Sequence, residues 1–137
     1  RGAPGFTLIE LLLVLVILGA LAAVVVPRFT RRSEQARVTA ARADLAALEM
    51  QLDAFEVDTG RYPTTEEGLR ALIEAPAGVN GWHGPYLKRN TVQNDPWGRP
   101  YVYVCPGSHN TNGYDLHSFG PDGQDGTEDD IDNWSAR

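Results

Sequence analysis

The sequence predicts an α+β chain: a long N-terminal helix, membrane-spanning in its first half, packed through its second half on a small antiparallel β-sheet. Three observations predict it. Between Phe6 and Val26 the only polar side chains are Thr7 and Glu10. From Val38 to Phe55 apolar residues recur every three or four positions. Beyond Gly60 the chain turns to Gly, Pro, Asp and Asn, broken by short stretches of alternating character. At 137 residues this is one domain with an appendage.

The apolar run comes first. Its roughly 21 residues span about 30 Å as a helix, the thickness of a hydrocarbon core. A secretory signal has a shorter apolar region and a small-residue cleavage site after it. Here Val24-Val-Val-Pro27-Arg28 continues into helical sequence instead. The unusual boundary lies before the run, at Gly5-Phe6, so residues 1–5 read as the remnant of a cleaved leader, with the helix retained. Arg1 precedes the run, and Arg28, Arg31 and Arg32 follow it. Taken alone, those charges would put the C-terminal side in the cytoplasm. Either a more basic leader or an override of that rule is needed for the opposite orientation.

Residues 6–27 are therefore the expected membrane or filament-core helix, and 28–57 an amphipathic continuation. Val38, Ala41, Leu45, Leu48, Leu52 and Phe55 form one helical stripe, with Arg37, Arg42, Asp44, Glu49 and Asp53 on other faces. A helix from Phe6 to Val57 would be about 78 Å long. Its expected weak point is Gly19 to Pro27, because proline lacks an N–H and crowds the preceding turn. Gly60 and Pro63 mark its end.

Residues 58–137 read as the water-soluble domain. Thr64-Thr-Glu-Glu-Gly-Leu-Arg-Ala-Leu-Ile-Glu predicts a short helix capped by Thr64 or Thr65. Pro76 to Gly84 is loop, and Asp95-Pro-Trp-Gly-Arg-Pro is a turn. Tyr101-Val-Tyr-Val and Tyr114-Asp-Leu-His-Ser-Phe predict strands, joined by a hairpin loop at Gly107–Gly113.

The last segment, 119–132, is the most specific chemically. Asp122, Asp125, Glu128, Asp129, Asp130 and Asp132 lie together without a basic residue. Such crowding needs solvent or a cation. Ca²⁺ takes about six to eight oxygens from a flexible loop. The spacing is not that of an EF-hand. Composition leaves a calcium loop and a solvated acidic tail both open. Ile131 and Trp134 point to a packed loop.

Other classes are weakened. The net charge of −6 lacks the basic footprint of a nucleic-acid binder. The lone Cys105 cannot form an intramolecular disulfide and reads as a small buried apolar residue. His83, His109 and His117 lack ligand spacing, and no nucleophile motif or phosphate loop is present. The chain is not expected to be an enzyme.

Gly5-Phe6-Thr-Leu-Ile-Glu10 resembles the start of type IV pilins and pseudopilins. Three further stretches resemble the major pseudopilin family of the type II secretion system. They are Thr59-Gly-Arg-Tyr-Pro-Thr-Thr-Glu-Glu-Gly-Leu, Asp95-Pro-Trp-Gly-Arg-Pro-Tyr, and Tyr114 to Trp134. The likeness runs from Gly5 to Trp134 and implies a type IV pilin-like fold. It implies cleavage between Gly5 and Phe6 by a prepilin peptidase, and N-methylation of Phe6. It also implies that Glu10 pairs with the N-terminal amine of a neighbouring subunit. That would answer a lone carboxylate in hydrocarbon, which costs several kcal/mol unless partnered. A solvated Glu10 at the interface is the alternative.

The resemblance further implies Ca²⁺ held by Asp122, Asp129 and Asp130, with the carbonyls of Phe119 and Thr127. Phe119 departs from the smaller aliphatic residue common there, but would contribute only its carbonyl. Asp125, Glu128 and Asp132 would lie outside the ligand set, Asp125 being a competitor. The function implied is a homopolymeric periplasmic pseudopilus that drives folded proteins through the outer membrane. Its partners would be minor pseudopilins, the inner-membrane assembly platform and a secretion ATPase complex. The chain would sit in the inner membrane as a single pass, with its C-terminal domain in the periplasm. A type IV pilin forming surface fibres is the alternative; its usual C-terminal cysteine pair is missing.

Overall fold

A computed structural model describes residues 2–135; Arg1, Ala136 and Arg137 lie outside the described residues. The elements are α1 (Leu8–Thr59), a 3-10 helix (Gly68–Leu72), β1 (Val102–Val104), β2 (Asp115–Ser118) and β3 (Ile131–Asp132). The chain divides into two compact units, Arg1–Ala36 and Arg37–Arg137.

In the first unit the helix begins one residue after Thr7, not at Phe6. From Leu8 to Val26 its large apolar side chains are exposed all round, and its most apolar 18-residue window has a mean hydropathy of 3.0 with none of it buried. This helix is long and apolar enough to cross a membrane. Pro27 lies inside α1, which continues through the expected weak point. Downstream, the Thr30 hydroxyl donates to the Pro27 carbonyl at 3.0 Å.

In the second unit the predicted stripe is the core face of α1. Ala41, Leu45, Leu48, Leu52 and Phe55 are buried, with Val38 packed against them. Leu69, Ala71 and Leu72 of the 3-10 helix, Tyr101, Tyr103, Tyr114, Leu116 and Ile131 complete the core. Full burial of a Leu or Phe side chain stabilises by roughly 1.5–3 kcal/mol, so this face holds the unit together. Tyrosines then fix its register. Tyr101 donates to Asp44 at 2.8 Å, and Tyr86 to Asp58 at 2.7 Å. Burial, and then the Asp44 carboxylate, push the Tyr101 hydroxyl's pKa up, so it remains a donor. At the end of α1 the Gly60 N–H reaches the Glu56 carbonyl at 2.7 Å.

The segment after Pro63 departs from the expected helix. Thr64 and Glu67 form a reciprocal cap: Thr64 N–H donates to the Glu67 carboxylate at 2.9 Å, and Glu67 N–H to the Thr64 hydroxyl at 3.2 Å. Gly68 then takes φ +59°, a left-handed value that α geometry cannot continue through. The chain therefore forms only a short 3-10 stretch from Gly68 to Leu72.

The sheet order is β1-β2-β3, antiparallel throughout. Tyr103 faces Leu116, and His117 faces Asp132. Both predicted strands form, one residue shorter at the start, and β2 also loses its last residue, Phe119. β3 corrects the reading of 119–132 as loop throughout, since two residues are too few to show a period. Asn133 locks it: its side chain accepts the Leu116 N–H at 2.9 Å, and its own N–H donates to the Leu116 carbonyl at 3.1 Å. All four residues of β2 are buried, including Asp115, His117 and Ser118.

Candidate functional sites at the helix start and the acidic loop

Gly5 and Phe6 precede α1, and Phe6 is 86 % exposed. Thr7 and Glu10 cap the helix reciprocally. The Thr7 N–H donates to the Glu10 carboxylate at 2.7 Å, and the Glu10 N–H donates to the Thr7 hydroxyl at 3.2 Å. A carboxylate in the first turn also meets the positive end of the helix dipole. The sequence reading missed this local partner, although Thr-x-x-Glu before an apolar run is its signature.

The acidic loop leaves β2 at Ser118 and returns at β3. Its root is polar and buried: the Ser118 hydroxyl donates to Asp95 at 2.6 Å. Asp95 also accepts the Arg99 N–H at 2.8 Å, and the Arg99 guanidinium donates to the Gly120 carbonyl. Gly120 has φ +67°, and a Cβ there would lie 2.2 Å from the Asp129 carbonyl oxygen. Only glycine lets the two arms of the loop approach so closely.

This approach gathers three of the six carboxylates. Asp122, Asp129 and Asp130 each offer an oxygen within 4.8 Å of the others. The Asp122 N–H donates to Asp129 at 3.0 Å, and the Gly126 N–H to Asp130 at 2.8 Å. The Thr127 hydroxyl lies between the carboxylates of Asp129 and Asp130. The Thr127 hydroxyl, with the Asp122 N–H, holds the Asp129 carboxyl below the usual carboxylate range against the opposing effect of burial. Hydrogen bonds to the charged form thus keep Asp129 ionised beside two other acids.

The other acids have further partners. Asp125 meets His117 Nε2 at 3.0 Å. Asp132 accepts the N–H groups of Trp134 at 3.1 Å and Ser135 at 2.7 Å. Glu128 is exposed. Phe119 packs its ring against His117, with centroids 5.7 Å apart. The Thr127 carbonyl accepts the Asp130 N–H at 3.2 Å.

The histidines have structural surroundings. His109 stacks flat on Trp134, centroids 4.1 Å apart, and meets Asp115 at 3.0 Å. Exposed His83 lies 3.8 Å from Asp58. Cys105 is half-buried rather than buried, its thiol 3.5 Å from the Gly113 carbonyl, because it leaves β1 at the sheet's end. A groove of about 380 Å³ runs between α1 and residues 86–93, lined by no histidine or cysteine.

A family model described as type II secretion system, protein G, matches residues 28–134. The chain belongs to the type II secretion system protein G family. A prokaryotic N-terminal methylation motif matches residues 1–26. Two core protein G relatives illustrate the likeness. That of Pseudomonas aeruginosa is 45 % identical, covering 98 % of this chain and 96 % of its own. That of Vibrio cholerae is 43 % identical, covering 100 % of this chain and 95 % of its own. A solved structure, the major pseudopilin of the type 2 secretion system of enterohaemorrhagic Escherichia coli, is 40 % identical. It superposes with a TM-score of 0.65, covering 75 % of this chain and 87 % of that one. The fold is therefore that of a pseudopilin, and this protein G family member is a structural pseudopilin subunit of the type II secretion system, not an enzyme. The methylation motif and apolar helix fit a membrane-anchored subunit.

Proposed function

We propose that this chain is the major subunit of a homopolymeric pseudopilus that pushes folded proteins across the outer membrane. The carrying observation is the exposed apolar surface of α1 from Leu8 to Val26, within a methylation motif. Bilayer and filament core can each cover that surface. Cleavage between Gly5 and Phe6 frees an amine four residues before Glu10. The Glu10 carboxylate then exchanges its local N–H donor for the methylated amine of a neighbouring subunit. Leaving the bilayer is favoured by that charge pairing and by helix packing. Before assembly the subunit is a single-pass inner-membrane protein with its second unit in the periplasm. The prepilin peptidase, minor pseudopilins, assembly platform and secretion ATPase complex are its partners.

In the same reading Asp122, Asp129 and Asp130 hold Ca²⁺ with the carbonyls of Phe119 and Thr127. The all-oxygen donor set and the tethered loop arms suit a hard cation of that size. When bound, the ion neutralises the crowded acids and orders the loop for contact with adjacent subunits. The test is assembly in a host that lacks its own major pseudopilin but keeps the other components. This chain should yield shearable periplasmic filaments and restore secretion, and a Glu10→Lys variant should do neither. Long surface fibres without secretion would favour the adhesive or motile pilin instead.

A further inference from the structure

We propose that His117, Asp125 and Asp130 form a second cation site, selective for zinc-like transition metals, which shares Asp130 with the all-oxygen cluster. The three residues each present a ligand atom within 4.8 Å of the other two. The set is chemically distinct from its neighbour. Asp122, Asp129 and Asp130 offer oxygen only, whereas this one includes an imidazole nitrogen. Nitrogen with carboxylate oxygen is a donor set for Zn²⁺ and poorly matched to Ca²⁺.

The imidazole is prepositioned. His117 sits on β2 opposite Asp132, with its side chain 9 % exposed. The Trp134 ring meets it edge-on at 5.2 Å and the Phe119 ring lies tilted at 5.7 Å. Those contacts fix the ring, and Nε2 emerges into the acidic loop, 3.0 Å from Asp125. Nδ1 is buried and has no hydrogen-bond partner. With a metal, neutral His117 ligates through Nε2 and carries its proton on Nδ1. The Asp125 side chain is 68 % exposed, so it can rotate onto an ion. Asp130 is shared. It belongs to both groups of three, while its Oδ1 accepts from Thr127 and its Oδ2 from Gly126. Water completes a tetrahedral shell.

The test uses the full chain in detergent micelles, stripped with chelator and melted with Zn²⁺ or Ca²⁺. Zn²⁺ should raise the melting temperature by about 5 °C or more at saturation. The rise should persist in Asp122→Asn and vanish in His117→Gln and Asp125→Asn. Failure of Ca²⁺ to stabilise the parent chain would defeat only the calcium reading. A Zn²⁺ shift that survives His117→Gln, or no shift at all, overturns this proposal. Because His117 is buried and its variant could be unstable, imidazole ¹⁵N spectra of the parent chain give a second readout. Zn²⁺ should move the Nε2 resonance of His117, and an unmoved resonance defeats the site.

Discussion

Thr7 and Glu10 cap each other: the carboxylate takes the Thr7 N–H at 2.7 Å, and the Thr7 hydroxyl takes the Glu10 N–H at 3.2 Å. Glu10 therefore has two separable assets, an acceptor for its own helix and a charge for a neighbour. Glu10→Gln keeps the acceptor and loses the charge; Glu10→Ala loses both. If charge pairing drives assembly, both variants should lose filaments while Gln retains helicity in micelles near the parent level. Ala should fray the first turn, at a cost of about 1 kcal/mol. Filaments formed by Glu10→Gln at the parent level would reduce Glu10 to a helix cap.

The trio of Asp122, Asp129 and Asp130 predicts a calcium-dependent melting temperature. A native-state binder stabilises by about 2.7 kcal/mol at a hundredfold excess over Kd. Ca²⁺ should stabilise the full chain, and Mg²⁺, which prefers a smaller octahedral shell, much less. Asp122→Ala, Asp129→Ala and Asp130→Ala should each abolish the Ca²⁺ increment. Melting curves in Ca²⁺, Mg²⁺ and chelator check this. Identical curves in all three would leave the loop without a calcium role.

Much of this was legible from residue patterns. The stripe from Val38 to Phe55 named every α1 side chain that the second unit buries, because helical periodicity is set by burial on one face. The convergence of Asp122 with Asp129 and Asp130 was named through resemblance. Spacing alone did not yield it, since the loop closes through a left-handed Gly120 that no period announces. β3 escaped because its two residues pair through partners far away in the chain. Asp115 went unnoticed because strand alternation predicts a solvent-facing polar residue. The 107–113 loop covers it instead.

Asp115 organises that loop. One carboxylate accepts the N–H groups of Ser108 at 2.8 Å, His109 at 2.9 Å and Asn110 at 2.8 Å, and meets His109 Nδ1 at 3.0 Å. Burial alone would raise its pKa; the N–H groups of Asn110 and His109, the His109 ring and Ser108 outweigh that and hold it below the ordinary value. Asp115→Ala leaves several donors without an acceptor and should cost about 2–4 kcal/mol in urea unfolding at pH 7. A cost under about 0.5 kcal/mol would mean that water replaces the carboxylate freely.

Glu67 supplies the clearest pH signature. The Arg61 guanidinium grips its carboxylate with two bonds of 2.8 Å, and the Thr64 N–H adds a third at 2.9 Å. The Arg61 contact, then the Thr64 N–H against the opposing effect of burial, lower its pKa from 4.5 to about 2. A depressed carboxyl contributes stability that is complete above its unfolded pKa and disappears as pH falls through the folded one. The window is thus from about pH 4.5 down to about pH 2. The full shift overstates the energy, because the Arg61 side chain is 42 % exposed and solvent screens the pair. Roughly 1–2 kcal/mol is the expected contribution, cap included. Glu67→Gln keeps an acceptor for Thr64 and loses the charge. It should destabilise at pH 7, and the gap to the parent should shrink as pH falls across that window. Urea unfolding at several pH values measures this, and a gap that stays constant down to pH 2 would rule out the charge as its source.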